Sequence, residues 1–281
     1  MPAPARRGFD WTALWIYLGL AIGLVFADFP ILWMFFTSFK SHTEIFALPP
    51  TLLPKIFTFV AYDSIFGDWV KIRFFVNSYI VAGVVTFLTV VVATLTAYSF
   101  SRYEFLFKRA FNLLVISTQT VPPITLLIPY FGMVVALGIF NTYFALILTY
   151  MVFTLPYAIL LMTGYLNTVP RELDESVLVD GGSSWTALWR VIVPVSIPGI
   201  VATAVYTFLL SWNEFLFALT LTKSMELRTV PIGISLLMGQ HAFEWNEMMA
   251  MSVLGSLPLL LLYLLAQRYF LAGMTAGSVK S

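Results

Sequence analysis

The sequence predicts an all-α, polytopic membrane protein with six transmembrane helices. Of its 281 residues, 60% are hydrophobic and only 10% are charged, against roughly a quarter charged in soluble domains. Six stretches are each long enough to cross the hydrocarbon core, which takes about 20 mostly apolar residues at about 1.5 Å of rise each. Their apolar residues are continuous, whereas the strands of a membrane barrel alternate and are about 10 residues long.

The first stretch, Trp11–Phe36, follows Arg6 and Arg7. It is longer than the apolar region of a signal peptide and has no small-x-small cleavage site, so a retained helix is expected. Residues 38 to 72, with Pro49, Pro50 and Pro54 among scattered aromatics, are expected to form short helices and loops on the outer surface. The second stretch is Phe74–Phe100. The third, Ala110–Val135, is crowded by Pro122, Pro123 and Pro129, the fourth, Thr142–Tyr165, holds Pro156, and the sixth, Met248–Leu271, holds Pro258. The fifth is Ile197–Leu221. The uneven prolines fit irregular helices lining a pathway and fit ordinary kinks equally well. Residues 222 to 247, containing TVPIGISLLMGQHAFEW, are too short and polar for a seventh span. The whole chain, 1–281, is expected to be one membrane domain, with residues 166–197 as a prominent loop within it.

Six spans put both ends on one side of the membrane. That side carries Arg6, Arg7, Arg102, Lys108, Arg109, Arg171, Arg190, Arg268 and Lys280; the other carries Lys40, Lys55, Lys71, Arg73, Lys223 and Arg228. Short loops decide more than the totals: the one after the second span has Arg102, Lys108 and Arg109, and the one around Gly138 has none. The excess of positive charge predicts cytoplasmic N- and C-termini.

Several chemistries are excluded. Without cysteine there are no disulfides, thiolate metal sites or cysteine nucleophiles. The chain has no G-x-x-x-x-G-K-[ST] phosphate loop and no H-E-x-x-H pair. His42 and His241, both in external segments, are expected at the surface, so neither a metal site nor a catalytic residue is assigned. A net charge of +1 with no basic tract gives no basis for nucleic-acid binding. Charges inside the membrane are costly and are functional suspects. Asp28 is near enough to the outer end of its span to reach the headgroups. Glu214 is deeper, and with Gln119 and Asn213 it is a candidate for the wall of a polar translocation path; a packing or gating role is as open.

The loop VPRELDESVLVDGGSSWTALWRVIVP is expected to form two short helices. Pro170 suits a first turn, and Glu172, Asp174 and Glu175 follow where carboxylates favour the positive end of the helix dipole. Gly181 and Gly182 stop the helix after Asp180. Ser183 or Ser184 caps a second helix reaching about Val193, ended by Pro194 and Pro198. Leu178, Trp185, Leu188 and Trp189 are then available for docking.

These residues resemble the EAA loop of ABC-importer permeases, whose pattern is roughly E-A-A, three residues, G, nine residues, I-x-L-P. Glu175 fills the E position, Gly181 the G six residues on, Asp180 the usual D before it, and Val191, Val193 and Pro194 the ending. Ser176 and Val177 replace the two alanines, and Gly182 replaces the alanine after the glycine. SFKSHTEIFALPPTLLP, FFVNSYIVA, SWNEFLFALTLT and FLAGMTAGSVK extend the resemblance to the carbohydrate-uptake subfamily over about residues 30 to 281.

The resemblance implies a type I importer permease with the MetI-like fold in a bacterial cytoplasmic membrane, forming half of the translocation pathway for a carbohydrate. Its implied partners are a second permease, an ATPase dimer on the cytoplasmic face, an external sugar-binding protein and the bilayer. ATP and Mg would be used by the ATPase, and this chain would bind no cofactor. The implied coupling surface comprises Glu172, Asp174, Glu175, Ser176, Leu178, Asp180, Gly181, Gly182 and Pro194. Two other classes make different demands on the sequence. A self-sufficient secondary transporter or channel should show paired intramembrane acids or inverted halves, and a membrane enzyme needs a nucleophile, base and metal.

Overall fold

The structure, a computed structural model, describes residues 11–239 and 244–277; Arg6, Arg7, His241 and Lys280 lie outside them. The chain divides into two compact units, one of residues 1–67 and 237–254, the other of 68–236 and 255–281.

The first unit holds α1 (Trp11–Thr37), α2 (His42–Ile45) and α3 (Val60–Gly67). The segment joining α1 to α3 is ordered by polar groups among aromatic rings. Ser41 Oγ accepts from the Glu44 amide at 3.4 Å, starting α2, while Glu44 Oε1 accepts from the Lys55 amide at 2.7 Å. Lys40 is buried, donates to the Thr51 carbonyl and lies 5.0 Å from the Trp33 ring centre. Burial pushes its ammonium below the usual lysine range, with Glu44 opposing the shift. Phe39 packs against Phe35, Phe57, Phe59 and Tyr62. His42, half exposed as expected of a surface residue, is 4.0 Å from Glu244.

The second unit begins with α4 (Trp69–Arg102), capped by Asp68 Oδ1 on the Val70 amide at 2.8 Å. There follow α5 (Lys108–Thr118), a 3₁₀ turn at Pro123–Leu126, α6 (Leu127–Ala136), α7 (Tyr143–Leu166), α8 (Glu172–Val179), α9 (Ser184–Ala187), a π turn at Leu188–Ile192, α10 (Val193–Val195), α11 (Ile197–Trp212), α12 (Leu216–Leu221) and α13 (Val230–Leu236). Last comes α14 (Trp245–Gly277), whose residues from 255 on belong to this unit. Helices α4 and α7 pack along fully buried Ala93, Ala97, Ala158 and Met162. Small residues let membrane helices approach closely, and polar pairs hold them; here the Thr89 and Thr154 hydroxyls meet at 3.1 Å. Helix α11 joins this pair, and Trp212 Nε1 donates to the Gly255 carbonyl at 3.1 Å.

The fold is all-α, as predicted, but two of the six predicted spans are not continuous helices. Four helices are long and apolar enough to span alone: Thr12–Thr37, Trp69–Arg102, Tyr143–Leu166 and Trp245–Tyr269. The third stretch bends by 94° between Lys108–Thr118 and Pro123–Ala136. Pro122 and Pro123 supply no amide hydrogens and disfavour helix in the residue before them. The Ser117, Thr118, Thr120 and Thr125 hydroxyls each donate to the carbonyl three residues back, adding polar bonds on both sides of the break. The fifth predicted span ends at Trp212, and α12 carries the remainder after a break at residues 213–215. Its N-terminal side is also bent, by 75° between Ser184–Val195 and Ile197–Trp212.

Candidate functional site

The loop after α7 folds as two helices about a glycine turn. Helix α8 keeps Glu172, Asp174 and Glu175 in its first turn and ends in a Schellman motif. Gly181, at φ +81°, donates to the Leu178 carbonyl at 3.1 Å, and Gly182 donates to the Val177 carbonyl at 2.8 Å. Ser183 Oγ then accepts from the Thr186 amide at 3.2 Å, starting α9.

Pro194 does not end this second segment, as the sequence suggested. The backbone widens into the π turn, with the Val193 amide donating to the Leu188 carbonyl, and stays helical through Val195. Such a turn shifts the hydrogen-bond register just ahead of a residue that has no amide hydrogen. The break falls at Ser196 instead.

The loop's acidic residues separate by direction. Asp174 is buried and turned back onto its own chain. Its Oδ1 accepts from the Tyr98 hydroxyl at 2.7 Å, and its Oδ2 pairs with Arg102 Nε at 2.8 Å. Arg102 also donates to the Leu166 carbonyl at 3.2 Å and the Val169 carbonyl at 3.0 Å, at and just beyond the end of α7. Arg171 adds a 2.9 Å bond to the Ser101 carbonyl. One guanidinium thus ties α4, α7 and α8 together. Asp174 therefore leaves the group of outward-facing residues, and so does Leu188, which is buried in the core. Glu172, Glu175, Ser176, Leu178, Asp180, Gly181 and Pro194 stay exposed, and Gly182 is partly covered. Beside them Trp185 and Trp189 are exposed, their rings 5.7 Å apart and edge to face.

A second candidate lies among the spans: a cleft of about 540 Å³ bordered by the end of α5, the 3₁₀ turn, the middle of α7 and the C-terminal half of α11. It brings Gln119 and Glu214 together, as the sequence suggested, but not Asn213, whose amide is spent on the Leu209 carbonyl at 2.8 Å. The Glu214 oxygens accept from the Phe217 and Ala218 amides, both at 2.9 Å, capping α12. The carboxylate is thereby matched to two backbone donors at the start of a helix. Sequence reasoning missed Tyr150, Tyr157, Tyr206 and Ser211, which line the same cleft. The Tyr157 and Tyr206 rings stack at 3.9 Å. Tyr98 and Arg102 were missed as well; their only local signal is an i, i+4 pair of polar residues ending an apolar span.

Among the described residues no group of three or more His, Cys, Asp or Glu side chains could hold a metal ion. Comparison with known proteins agrees with the family resemblance. Residues 89–276 match the family model described as binding-protein-dependent transport system inner membrane component. The chain is 35% identical over 264 residues to the sulfoquinovosyl glycerol transport system permease protein of Agrobacterium fabrum, covering 94% of this chain and 93% of that one. It is 34% identical over 275 residues to the trehalose/maltose transport system permease protein of Thermococcus litoralis, covering 94% and 96%. A chain from the crystal structure of a bacterial ABC transporter involved in importing the acidic polysaccharide alginate shares the fold, with a TM-score of 0.80 at 20% identity, covering 96% of this chain and all of that one. The chain is a member of the family of inner membrane components of binding-protein-dependent transport systems.

Proposed function

We propose that this chain is one of two permease subunits forming the translocation pathway of an ATP-driven carbohydrate importer, with α8 as the helix through which an ATPase drives it. The observation that carries the coupling role is the division of labour in α8: Asp174 anchors it to α4 and α7, while Glu172, Glu175 and Leu178 remain exposed. A helix fixed to two spans and exposed on its far side transmits a push from a partner into those spans. The exposed carboxylates suit a partner cleft with basic groups. Trp185 and Trp189 are costly in water and suit burial against that partner or seating at the headgroups.

Energy is supplied by a separate ATPase dimer that binds ATP and Mg, since this chain contains no phosphate loop. The other partners are a second permease, an external binding protein and the sugar. The excess of Lys and Arg beside the loop supports cytoplasmic termini in a multi-pass inner membrane protein. Sugar transport is named for both sequence relatives described above, which is the support for carbohydrate as cargo.

Glu175→Lys and Gly181→Leu should each abolish ATP-driven uptake in proteoliposomes holding the complete transporter, while membrane insertion stays intact. Normal uptake by both variants contradicts the coupling role. Uptake by this polypeptide alone contradicts the importer reading altogether.

A further inference from the structure

We propose that the turn between α4 and α5, residues 103–109, binds the headgroup of an anionic phospholipid, with Leu106 and Phe107 inserted among the acyl chains beside it. The proposal stands apart from the cargo and coupling readings: it needs only that α4 and the stretch from α5 to α6 cross the bilayer.

The turn sorts its own large side chains into two groups. Tyr103 and Phe105 fold back on α4, their ring centres 6.0 Å from that of Tyr98 and 5.9 Å from that of Phe100. Leu106 and Phe107 point away and are 79% and 66% exposed. Phe107 sits at φ 67°, a conformation that is costly for a bulky residue. Such strain persists where the surrounding bonds impose it. Here Lys108 Nζ donates to the Tyr103 carbonyl at 3.0 Å and to Glu104 Oε1 at 2.8 Å, and the Lys108 amide donates to the Phe105 carbonyl at 3.2 Å. The closed turn therefore holds two large apolar side chains off the protein surface.

Continuity identifies what covers them. Helix α4 is long and apolar enough to span alone and ends at Arg102, so the turn lies at a membrane surface. Beyond the turn, Phe107, Phe111 and Leu114 recur at the spacing of one helix face, and all three are exposed. The apolar surface thus runs without a break from the turn into a segment that crosses the bilayer. Aromatic residues concentrate at that boundary, where one side of the ring meets acyl chains.

Charge selects the lipid. Residues 102–109 hold Arg102, Lys108 and Arg109 against one acid, Glu104. Arg102 is paired with Asp174 and Lys108 with Glu104, whereas Arg109 is exposed and has no ion pair among the described residues. Lys108 holds the Glu104 carboxyl below the usual range, with Arg171 and Arg109 adding to the shift, so the field over the turn is positive. A free guanidinium beside two outward apolar side chains fits a phosphodiester above acyl chains. Inorganic phosphate would leave Leu106 and Phe107 in water, so the ligand is a lipid. The turn starts one residue after Arg102, which holds α8 through Asp174, and the lipid therefore sits at the base of α8.

The chain has no cysteine, so Leu106→Cys gives it a single labelling site. The complete transporter, its other subunits kept free of cysteine, carries a fluorophore there in liposomes containing nitroxide-labelled phosphatidylglycerol or phosphatidylcholine. Both lipids should quench the label, and aqueous acrylamide should not. At low mole fraction, phosphatidylglycerol should quench about fivefold more effectively, the effect of one cation at an anionic surface. Arg109→Gln should bring the two lipids close to equality, and Arg109→Lys should keep most of the preference. Quenching by acrylamide without quenching by lipid overturns the insertion. Shielding from both overturns it as well and assigns the turn to a protein partner. Equal quenching by the two lipids before Arg109 is changed, or a preference that survives Arg109→Gln, overturns the headgroup site.

Discussion

Arg102 Nε lies 2.8 Å from Asp174 Oδ2, and the two side chains are only 6% and 12% exposed. The pair joins the last turn of a 34-residue span to the first turn of an eight-residue surface helix. Removing one partner of a buried pair leaves an uncompensated charge and costs about 3–5 kcal/mol. Asp174→Ala and Arg102→Ala should therefore release α8, seen as faster amide hydrogen exchange over residues 172–187 and as ATP hydrolysis no longer tied to uptake. Arg102→Met combined with Asp174→Leu should recover part of the protection, because an apolar pair removes both charges. Recovery should stay incomplete, since the guanidinium's bonds to the Leu166 and Val169 carbonyls are still lost. A double variant no better than either single one contradicts the pairing.

Two departures from the EAA pattern prove to be one structural change. A Cβ on Gly182 would lie 2.6 Å from Val177 Cγ1 and 2.9 Å from the Val177 carbonyl oxygen. The valine that replaces an alanine fills the space that the missing alanine methyl would need. Gly182→Ala alone should overpack the turn, with a penalty of about 1–3 kcal/mol. Val177→Ala with Gly182→Ala should be better tolerated, leaving the carbonyl as the remaining close contact. A double-mutant cycle on thermal unfolding reads this directly: the coupling between the two sites should be favourable, and simple additivity would disprove it. Gly181 differs, because a Cβ there meets open space and the obstacle is its positive φ.

What the sequence disclosed follows from how local the cause is. Helices α4 and α7 were legible because an unbroken apolar run of span length has no other good solution in a bilayer. The turn at 180–183 was legible because Gly181, Gly182 and Ser183 act on their immediate neighbours. The break after Trp212 was not, since residues 216–221 are as apolar as those before it and hydropathy continues across the gap. What ends the helix is Glu214 capping Phe217 and Ala218, a bond that exists only once the chain has turned. Asp174 stood in the sequence as one of three equivalent acids. Its inward direction depends on Tyr98 and Arg102, more than seventy residues earlier.

The segment joining α12 to α13 depends on one fully buried amide. Asn77 Nδ2 donates to the Glu226 and Arg228 carbonyls at 2.8 and 2.7 Å, and its Oδ1 accepts from the Tyr143 hydroxyl at 2.7 Å. Next to it, Ser78 Oγ accepts from the Val230 amide at 2.9 Å. Asn141, at φ 62°, holds the same segment from the other side, its Oδ1 accepting from the Lys223 and Ser224 amides. Asn77→Ala strips partners from three groups at once, and each buried group left unpaired costs about 1–3 kcal/mol. Tyr143→Phe removes both the hydroxyl and one bond, and should be milder, about 1 kcal/mol. Asn77→Asp should be the most damaging, because a carboxylate would face two carbonyl oxygens it cannot donate to. Limited proteolysis and hydrogen exchange over residues 222–230 should rank the variants Asp, then Ala, then the tyrosine change. If Asn77→Asp left that segment as protected as wild type, the amide would not be what holds it.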